Sequence, residues 1–462
     1  MKYFVNETTR NFFYSIITKN LKFILNILGS VVLARLIEPI YFGEFVILLA
    51  IFSFFQASIT NAIIPIFIKE KDLENSIFTY TICLIIISIF IFILLGLLES
   101  LLVSNYEIKN SRLLILLTYI SITLNIFSSI PISLNQKKLR FREIFQAEII
   151  ISLLILILSL ILAFSLKNTL ALVLKLLIES FLILFANFLI AKKDSIKGFN
   201  WKFEKIIGLV KNFIPQVQFN LSTYALRNLD NLIIGKVFGA ANLGYYSKGY
   251  QIMMLPIQLI SHGVTPVIQP TFQKLETKSI HKTYDKLTGI LFAISIPITI
   301  LLYYFRIEAI ELLLGDNWLD IEIFSRLLIL TIPFQVYMST VGSYQYSLGN
   351  FSFLRNLGGV SLLLFLITLY LGIRSNNLEQ FCAFYLIFQI INFLLNRLLI
   401  DLKNKRKGGF LFKFKDGTFQ VVLIYSSFVT ITSLKFPFLL EMVLMISTLI
   451  LSVSRVLRLI KE

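Results

Sequence analysis

An uninterrupted apolar run at residues 77–98 constrains the fold of this chain more than any other feature. Its sequence, IFTYTICLIIISIFIFILLGLL, contains no charged residue. A helix needs about 20 apolar residues to cross the hydrocarbon core of a bilayer, and this run is long enough. Similar runs recur along the 462 residues, of which 57% are hydrophobic and only 15% are charged. The sequence therefore predicts an all-α polytopic membrane protein.

We predict about fourteen transmembrane helices, with twelve as the alternative count. They cover residues 11–36, 42–68, 76–98, 112–134, 144–165, 169–191, 207–236, 242–272, 286–305, 323–348, 355–373, 379–401, 418–434 and 438–457. Lysine and arginine concentrate after the even-numbered spans, as at 137–142 and 403–415. Positive loops mark the cytoplasmic side. We therefore expect a multi-pass protein with both termini in the cytoplasm. The net charge of +17 then reflects topology and not a nucleic-acid partner.

An internal repeat is indicated when the chain is shifted by 201 positions. Gly244 then falls on Gly43, Lys236 on Arg35, and Pro266 on Pro65. Each copy holds six spans, so both copies insert in the same orientation. The predicted architecture is two parallel six-helix lobes around a central cavity, followed by two trailing helices. The predicted divisions are an N-terminal lobe (1–195), a basic cytoplasmic linker (196–206), a C-terminal lobe (207–402) and a trailing helix pair (403–462).

A polar stripe runs along the predicted seventh span at intervals of three and four residues, which places its members on one helix face. A charged side chain at mid-membrane costs roughly 2.5–3.5 kcal/mol, so such residues normally face a protein interior or a watery cavity. We predict a substrate-binding cavity whose candidate residues come from the first, seventh and eighth spans. They are Lys19, Lys22 and Asn26; Asn220, Tyr224, Arg227, Asp230 and Asn231; and Lys248 and Gln258.

Structural roles are open for the same residues. Arg227 and Asp230 are three apart and could pair with each other, Lys19 and Lys22 could reach the cytoplasmic surface, and Lys248 could anchor the interface. Arg397 and Asp401, four apart, are predicted to form a helix-face ion pair. The candidate cavity is rich in cations, amides and hydroxyls, which favours an anionic, phosphate-bearing sugar compound over a lipophilic cation. No metal-binding or catalytic motif is recognised, and no catalytic residue is predicted.

Two segments carry a resemblance to a known family. YALRNLDNLIIGK at 224–236, followed by GAANLGYYSK at 239–248, resembles the second-lobe signature of bacterial polysaccharide flippases, and ARLIEP at 34–39 with Phe42-Gly43 resembles the first-lobe counterpart. These flippases act in O-antigen, lipopolysaccharide and exopolysaccharide synthesis and belong to the multidrug/oligosaccharidyl-lipid/polysaccharide exporter superfamily. The resemblance implies transport of an undecaprenyl-diphosphate-linked oligosaccharide from the inner to the outer leaflet of the cytoplasmic (inner) membrane by alternating access. It also implies coupling to an H⁺ or Na⁺ gradient, with no other cofactor, and contact with membrane lipids and other polysaccharide-assembly proteins.

Two other functions remain open at this point. A drug or cation antiporter of the same superfamily would use the acidic residues of the spans in place of the cations. A membrane polysaccharide polymerase or ligase shares the hydropathy of this chain but typically carries catalytic residues on a sizeable outer loop. The longest outer connection here, at 306–322, is short, so an enzyme is the less favoured interpretation.

Overall fold

The chain folds into a set of long helices, as its apolar runs predict. The computed structural model describes residues 21–70, 73–106, 111–191, 203–272 and 275–403, together with Tyr425. In these ranges there are fifteen α-helices. They are α1 (21–36), α2 (Pro39–Phe55), α3 (Asn61–Lys69), α4 (Leu73–Tyr106), α5 (Ser111–Lys137), α6 (Phe141–Leu166), α7 (Thr169–Ala191), α8 (Phe203–Phe238), α9 (Ala240–Phe272), α10 (Thr277–Tyr304), α11 (Arg306–Leu314), α12 (Glu322–Ile329), α13 (Ile332–Ser347), α14 (Phe351–Ser375) and α15 (Leu378–Lys403). The all-α fold class is confirmed.

Eight helical stretches of the described chain are long and apolar enough to cross a membrane. They are Pro39–Ile68, Ile77–Leu97, Ser111–Lys137, Phe141–Leu166, Thr169–Ala191, Ser279–Tyr304, Ser352–Ser375 and Leu378–Lys403. A ninth would be the pair Asp316–Ile329 and Ile332–Ser347, which is bent by 55°. The protein is therefore polytopic. The total of fourteen stays a prediction, since the trailing pair at 403–462 lies almost wholly outside the described residues.

The chain divides into two compact units, Met1–Tyr245 and Tyr246–Glu462. In the first unit α5 packs along α7, and α8 packs against α2, α3 and α4. Apolar side chains of this unit, among them Leu48, Ile63 and Ile126, are almost fully buried. Since α8 packs on the helices that precede it, the first unit extends past the linker predicted at 196–206. The division of the chain into six-helix lobes stays a prediction.

A π-helix, Gln56–Thr60, joins α2 to α3 within one continuous span. A π-helix changes the backbone hydrogen-bond register, and single turns of this kind occur frequently at functional sites. At its end Thr60 Oγ1 donates to Asn125 Oδ1 of α5 over 2.8 Å. Nearby serines of α5, such as Ser129 and Ser133, donate to carbonyls of their own helix. Hydroxyls are thus accommodated in this apolar unit by local hydrogen bonds.

The starts of α2 and α9 cross at two glycines within the first unit. A Cβ built on Gly43 would lie 1.6 Å from the carbonyl oxygen of Ala240, and one on Gly244 would lie 2.0 Å from that of Pro39. Pro39 and Ala240 are themselves related by the shift of 201 positions. Gly43 of α2 therefore meets the first residue of α9, and Gly244 of α9 meets the first residue of α2. Such a reciprocal contact is expected of a duplicated pair.

The second unit has an aromatic and ionic core. Tyr284 of α10 stacks on Tyr344 of α13 with ring centroids 3.8 Å apart. Tyr337 meets the ring of Phe393 edge-on at 4.9 Å, which joins α13 to α15. Tyr425, from the predicted trailing region, is buried here and donates to the carbonyl of Leu330 over 2.7 Å. At least this residue of the trailing region therefore packs on the unit's core.

Candidate functional site

The polar stripe of α8 faces the π-helix region of the first unit. Tyr224 is 8% exposed, and its hydroxyl donates to the carbonyl of Ala50 over 2.8 Å. Asn220 Nδ2 donates to the carbonyl of Ala57, inside the π-helix, over 3.0 Å. These two predicted cavity residues therefore join α8 to the irregular span formed by α2 and α3. Their binding of substrate stays a prediction.

Further along the stripe, Asp230 is buried within α8. Its Oδ1 accepts a hydrogen bond from the backbone N–H of Asn231 over 2.8 Å, and Asn231 itself is half-buried. A buried carboxylate is costly unless other groups stabilise it, so its retention indicates a structural or functional requirement. Arg227 belongs to the helical part of α8, but its side chain lies outside what the structure describes. The predicted Arg227–Asp230 pair therefore stays a prediction.

The candidate residues of the first span lie at the start of the described chain. On α1, Lys22 is half-buried and Asn26 is exposed, whereas Lys19 lies outside the described residues. Arg35, at the other end of α1, is exposed, as expected of a residue near the membrane surface. The contribution of Lys19, Lys22 and Asn26 to a cavity stays a prediction.

In the second unit, the predicted residue Lys248 is buried on α9. It is 4% exposed, with Nζ 3.4 Å from Gln251 Oε1 and 6.0 Å from the ring centroid of Trp318. The adjacent Gly249 packs closely on Ile321, since a Cβ built on it would lie 3.1 Å from Cγ2 of Ile321. Aromatic faces attract cations, and the effect grows when the pair is desolvated. Lys248 thus sits inside the unit and is not a surface anchor.

Gln258, the second candidate on α9, is half-buried, and its backbone carbonyl accepts a hydrogen bond from Ser261 over 3.4 Å. It lies seven residues after Gln251, a spacing of about two helical turns, so both amides belong to the same side of α9. This face of α9 therefore carries a cation and two amides. A role in binding stays a prediction for Gln258.

Two buried acidic features lie beyond the predicted site residues. Arg397 bonds Asp285 of α10 over 2.9 Å and contacts Asp401 over 3.2 Å, so the predicted pair with Asp401 is present and a second acid joins it. Glu44 of α2 is buried and accepts a hydrogen bond from Thr169 of α7. In the sequence, Glu44 stands out only as a single acidic residue in an apolar helix. Its partner could not be identified, because the two residues are 125 positions apart.

In the part of the chain that the structure describes, no group of three or more His, Cys, Asp and Glu side chains converges to form a metal site. What the stripe and Lys248 supply chemically is hydrogen-bond donors, cations and aromatic faces within a membrane-spanning protein. Groups of this kind inside a membrane protein can hold a polar ligand.

Comparison with known proteins identifies the family of this chain. A profile of the family described as "Polysaccharide biosynthesis protein" matches residues 32–323, more than half of the chain. The teichuronic acid biosynthesis protein TuaB of Bacillus subtilis (strain 168) is 28% identical over 197 residues, a match that spans only 41% of either chain. An uncharacterised membrane protein in the cps region of Klebsiella pneumoniae is 23% identical over 396 residues, covering 81% of this chain and 78% of its own.

The fold is shared with a solved membrane transporter. The structure of lipid II flippase MurJ in an inward closed conformation aligns over 98% of this chain and 100% of its own, with a TM-score of 0.74 and 16% identity. At that identity the likeness concerns the fold alone. The family profile, in contrast, covers more than half of the chain. The chain belongs to the polysaccharide biosynthesis protein family, and it is a multi-pass membrane protein.

Proposed function

We propose that this protein moves an undecaprenyl-diphosphate-linked oligosaccharide repeat unit from the inner to the outer leaflet of the cytoplasmic membrane. The observation that carries the proposal is Lys248, a lysine that is 4% exposed on a helix of a membrane protein. A buried cation is costly in a membrane, and such residues mark substrate pathways. A lysine attracts an anionic diphosphate, and the neighbouring Gln251 and Trp318 suit a sugar.

The remaining candidate residues fit the same substrate. Asn220, Tyr224 and Asn231 offer amides and a hydroxyl on one side of α8, and Arg227 belongs to the same helix. Arginine presents a fixed fork of donors that matches phosphate oxygens. In the proposed cycle these groups hold the diphosphate and the sugars while the lipid tail remains in the bilayer. The two copies of the repeat then rock to expose the substrate on the other side.

Two parts of the proposal concern energy and orientation. The termini face the cytoplasm, because the basic loops follow the even-numbered spans. An H⁺ or Na⁺ gradient drives the cycle, and the basic cytoplasmic loops are available to other polysaccharide-assembly proteins. Coupling is tested in proteoliposomes that hold a lipid-linked oligosaccharide. The H⁺ and Na⁺ gradients are collapsed one at a time, and translocation of the oligosaccharide should stop only when the gradient of the coupling ion is lost.

The central experiment uses a deletion strain carrying wild-type protein, Lys248→Ala or Arg227→Ala. The matched control is Lys236→Ala, since Lys236 is an exposed lysine at the end of α8. Surface polysaccharide and lipid-linked units protected from an external probe are measured, together with the amount of protein in the membrane. We expect the two cavity variants, but not the control, to lose surface polysaccharide and accumulate protected units. A normal surface with altered drug tolerance would instead support an antiporter.

A further inference from the structure

A small pocket opens at one end of the first unit, between the starts of α2, α5 and α7. It has a volume of about 210 Å³. Pockets for drug-sized ligands occupy about 300–1,000 Å³, so this one accepts only a small group, about the size of one sugar ring. The basic loops lie at the opposite ends of these three spans, and the pocket is therefore predicted to face outwards.

The wall of the pocket combines polar groups with an apolar surface. Tyr41, Glu44, Asn168 and Thr169 supply the polar atoms, and three leucines, Leu113, Leu114 and Leu170, supply the rest. A few placed polar groups in an apolar wall are typical of a binding site for a small molecule. The polar groups come from α2, from the connection between α6 and α7, and from the first residue of α7.

Glu44 is the central polar group, since it is 4% exposed and carries a carboxylate. It accepts a hydrogen bond from the hydroxyl of Thr169, whose Oγ1 also lies 3.5 Å from the carbonyl oxygen of Tyr41. The helices α2, α5 and α7 all begin at this end, at Pro39, Ser111 and Thr169. Helix N-termini carry partial positive charge and stabilise an anion nearby. The carboxyl oxygens of Glu44 are the hydrogen-bond acceptors of the pocket.

Asn168 supplies a complementary donor. Its Oδ1 accepts a hydrogen bond from the backbone N–H of Leu170 over 3.1 Å, which fixes the amide at the start of α7. The Nδ2 of the same amide is a donor, and the phenol of Tyr41 can donate or accept. A sugar ring presents hydroxyl groups around its edge and C–H groups on its faces. The pocket offers an acceptor, a donor and an apolar wall for these features, whereas a phosphate would be repelled by Glu44.

We propose that this pocket binds one sugar ring of the transported oligosaccharide at the outer face of the first unit. This inference rests on the proposed flippase function and deepens it. Glu44 accepts a hydrogen bond from a sugar hydroxyl, Asn168 donates to a hydroxyl or acetamido oxygen, and the leucine wall covers a C–H face. A site built to bond hydroxyl groups discriminates strongly against rings that lack them. The pocket therefore contributes to the choice of repeat unit as well as to its release.

The test is saturation-transfer NMR on the purified full-length protein in detergent. The probes are free glucose, galactose and N-acetylglucosamine, and the variants are Glu44→Gln and Thr169→Val. The control is Glu148→Gln, because Glu148 is a half-buried acid of the same unit that does not line the pocket. We expect at least one sugar to bind wild-type protein and the control alike, with binding weakened at least tenfold in both pocket variants. Two variants are used so that a folding defect in one leaves the other informative.

Three outcomes would overturn the proposal. One is that none of the sugars binds wild-type protein, and another is that both pocket variants bind as the wild type does. The third is that ²²Na⁺ binds wild-type protein and is lost in Glu44→Gln while sugar binding is unchanged, which would assign the pocket to a coupling cation. These outcomes are independent of the flippase assay with Lys248→Ala. If translocation is lost in Lys248→Ala as expected but no sugar binds at the pocket, the sugar subsite is rejected and the proposed flippase function is not.

Discussion

The two units solve the same problem, polar groups inside an apolar protein, in different ways. In the first unit several polar contacts between helices join neutral groups: Asn135 bonds Asn187, Asn220 bonds a backbone carbonyl, and Thr60 bonds Asn125. Glu44 with Thr169 is a contact of the same unit that involves an acid. In the second unit several contacts join opposite charges, with Arg397 held by two acids and Arg306 bonded to Glu322 over 2.8 Å. Neutral bonds between membrane helices contribute little each, whereas a buried charge that loses its partner is very costly.

This difference between the units indicates which helices can shift against their neighbours. Neutral hydrogen bonds to backbone carbonyls can be exchanged for one another or for water at little cost, so helices joined by them can shift. Arg397 cannot leave its acids without exposing buried charges to an apolar medium. We therefore expect α10 and α15 to move as one body in the proposed transport cycle, whereas α8 can shift against the π-helix.

The largest effect is expected from Arg397→Met, which leaves Asp401 without its main counter-charge. Breaking a fully buried pair costs about 3–5 kcal/mol, and about 3 kcal/mol is expected here because Asp285 is 46% exposed and can be hydrated. The free energy of unfolding is measured by SDS titration of the purified protein. The control, Asp285→Asn, should cost less, since Arg397 keeps Asp401. Equal stabilities for wild type and Arg397→Met would remove the contrast between the units.

A second effect concerns the glycines that bring backbones together. Gly43→Ala should cost about 1–3 kcal/mol of unfolding free energy, because the new Cβ would meet the rigid backbone of Ala240 at 1.6 Å. In the second unit, Gly372→Ala meets the ring of Phe381 at 2.3 Å, and a side chain can turn aside. Gly96→Ala, with no atom within 4 Å, is the neutral control. A larger loss for Gly372 than for Gly43 would show that the first unit can separate at this contact.

Much of the fold follows from the sequence. A charge-free run such as 77–98 can only be a helix in lipid, because every backbone group must be bonded within the segment. The predicted second to sixth spans accordingly reappear in α2 to α7. The stripe of α8 was found because a helix repeats every 3.6 residues, and the Arg397–Asp401 pair because partners lie four residues apart. Local periodicity therefore identified the elements and the polar faces.

Contacts between distant segments were not accessible in this way. Asp285 joins Arg397 across 112 positions, and no periodicity relates the two. The π-helix at Gln56–Thr60 was also missed, since its altered register depends on the packing of α5 and α8 around it. Tyr224 and Asn220 were correctly placed on one polar face, but the sequence did not indicate that this face meets the carbonyls of Ala50 and Ala57.

A matched pair of tyrosines tests whether the same hydrogen bond has the same value in both units. Tyr224 and Tyr425 are both buried and donate to backbone carbonyls, those of Ala50 and Leu330, over 2.8 and 2.7 Å. Replacing each with phenylalanine should cost about 1 kcal/mol of unfolding free energy, the usual net contribution of one hydrogen bond. Similar losses by SDS titration are expected. A loss at Tyr224 several times that at Tyr425 would argue that α8 is fixed and not mobile.

The smallest effect is expected for the bond between Thr60 and Asn125, measured by a double-mutant cycle with Thr60→Val and Asn125→Leu. Hydrogen bonds between membrane helices average about 0.6 kcal/mol in such cycles, because the partners find substitutes when separated. SDS titration of the same variants measures the unfolding free energies from which the coupling energy is calculated. A coupling energy of that size would leave the π-helix free to change register. A coupling energy as large as that of a charged pair would mean that helices of the first unit are also held rigidly together. The neutral bonds would then have to be treated as a fixed frame, and movement of α8 against the π-helix would no longer follow from their weakness.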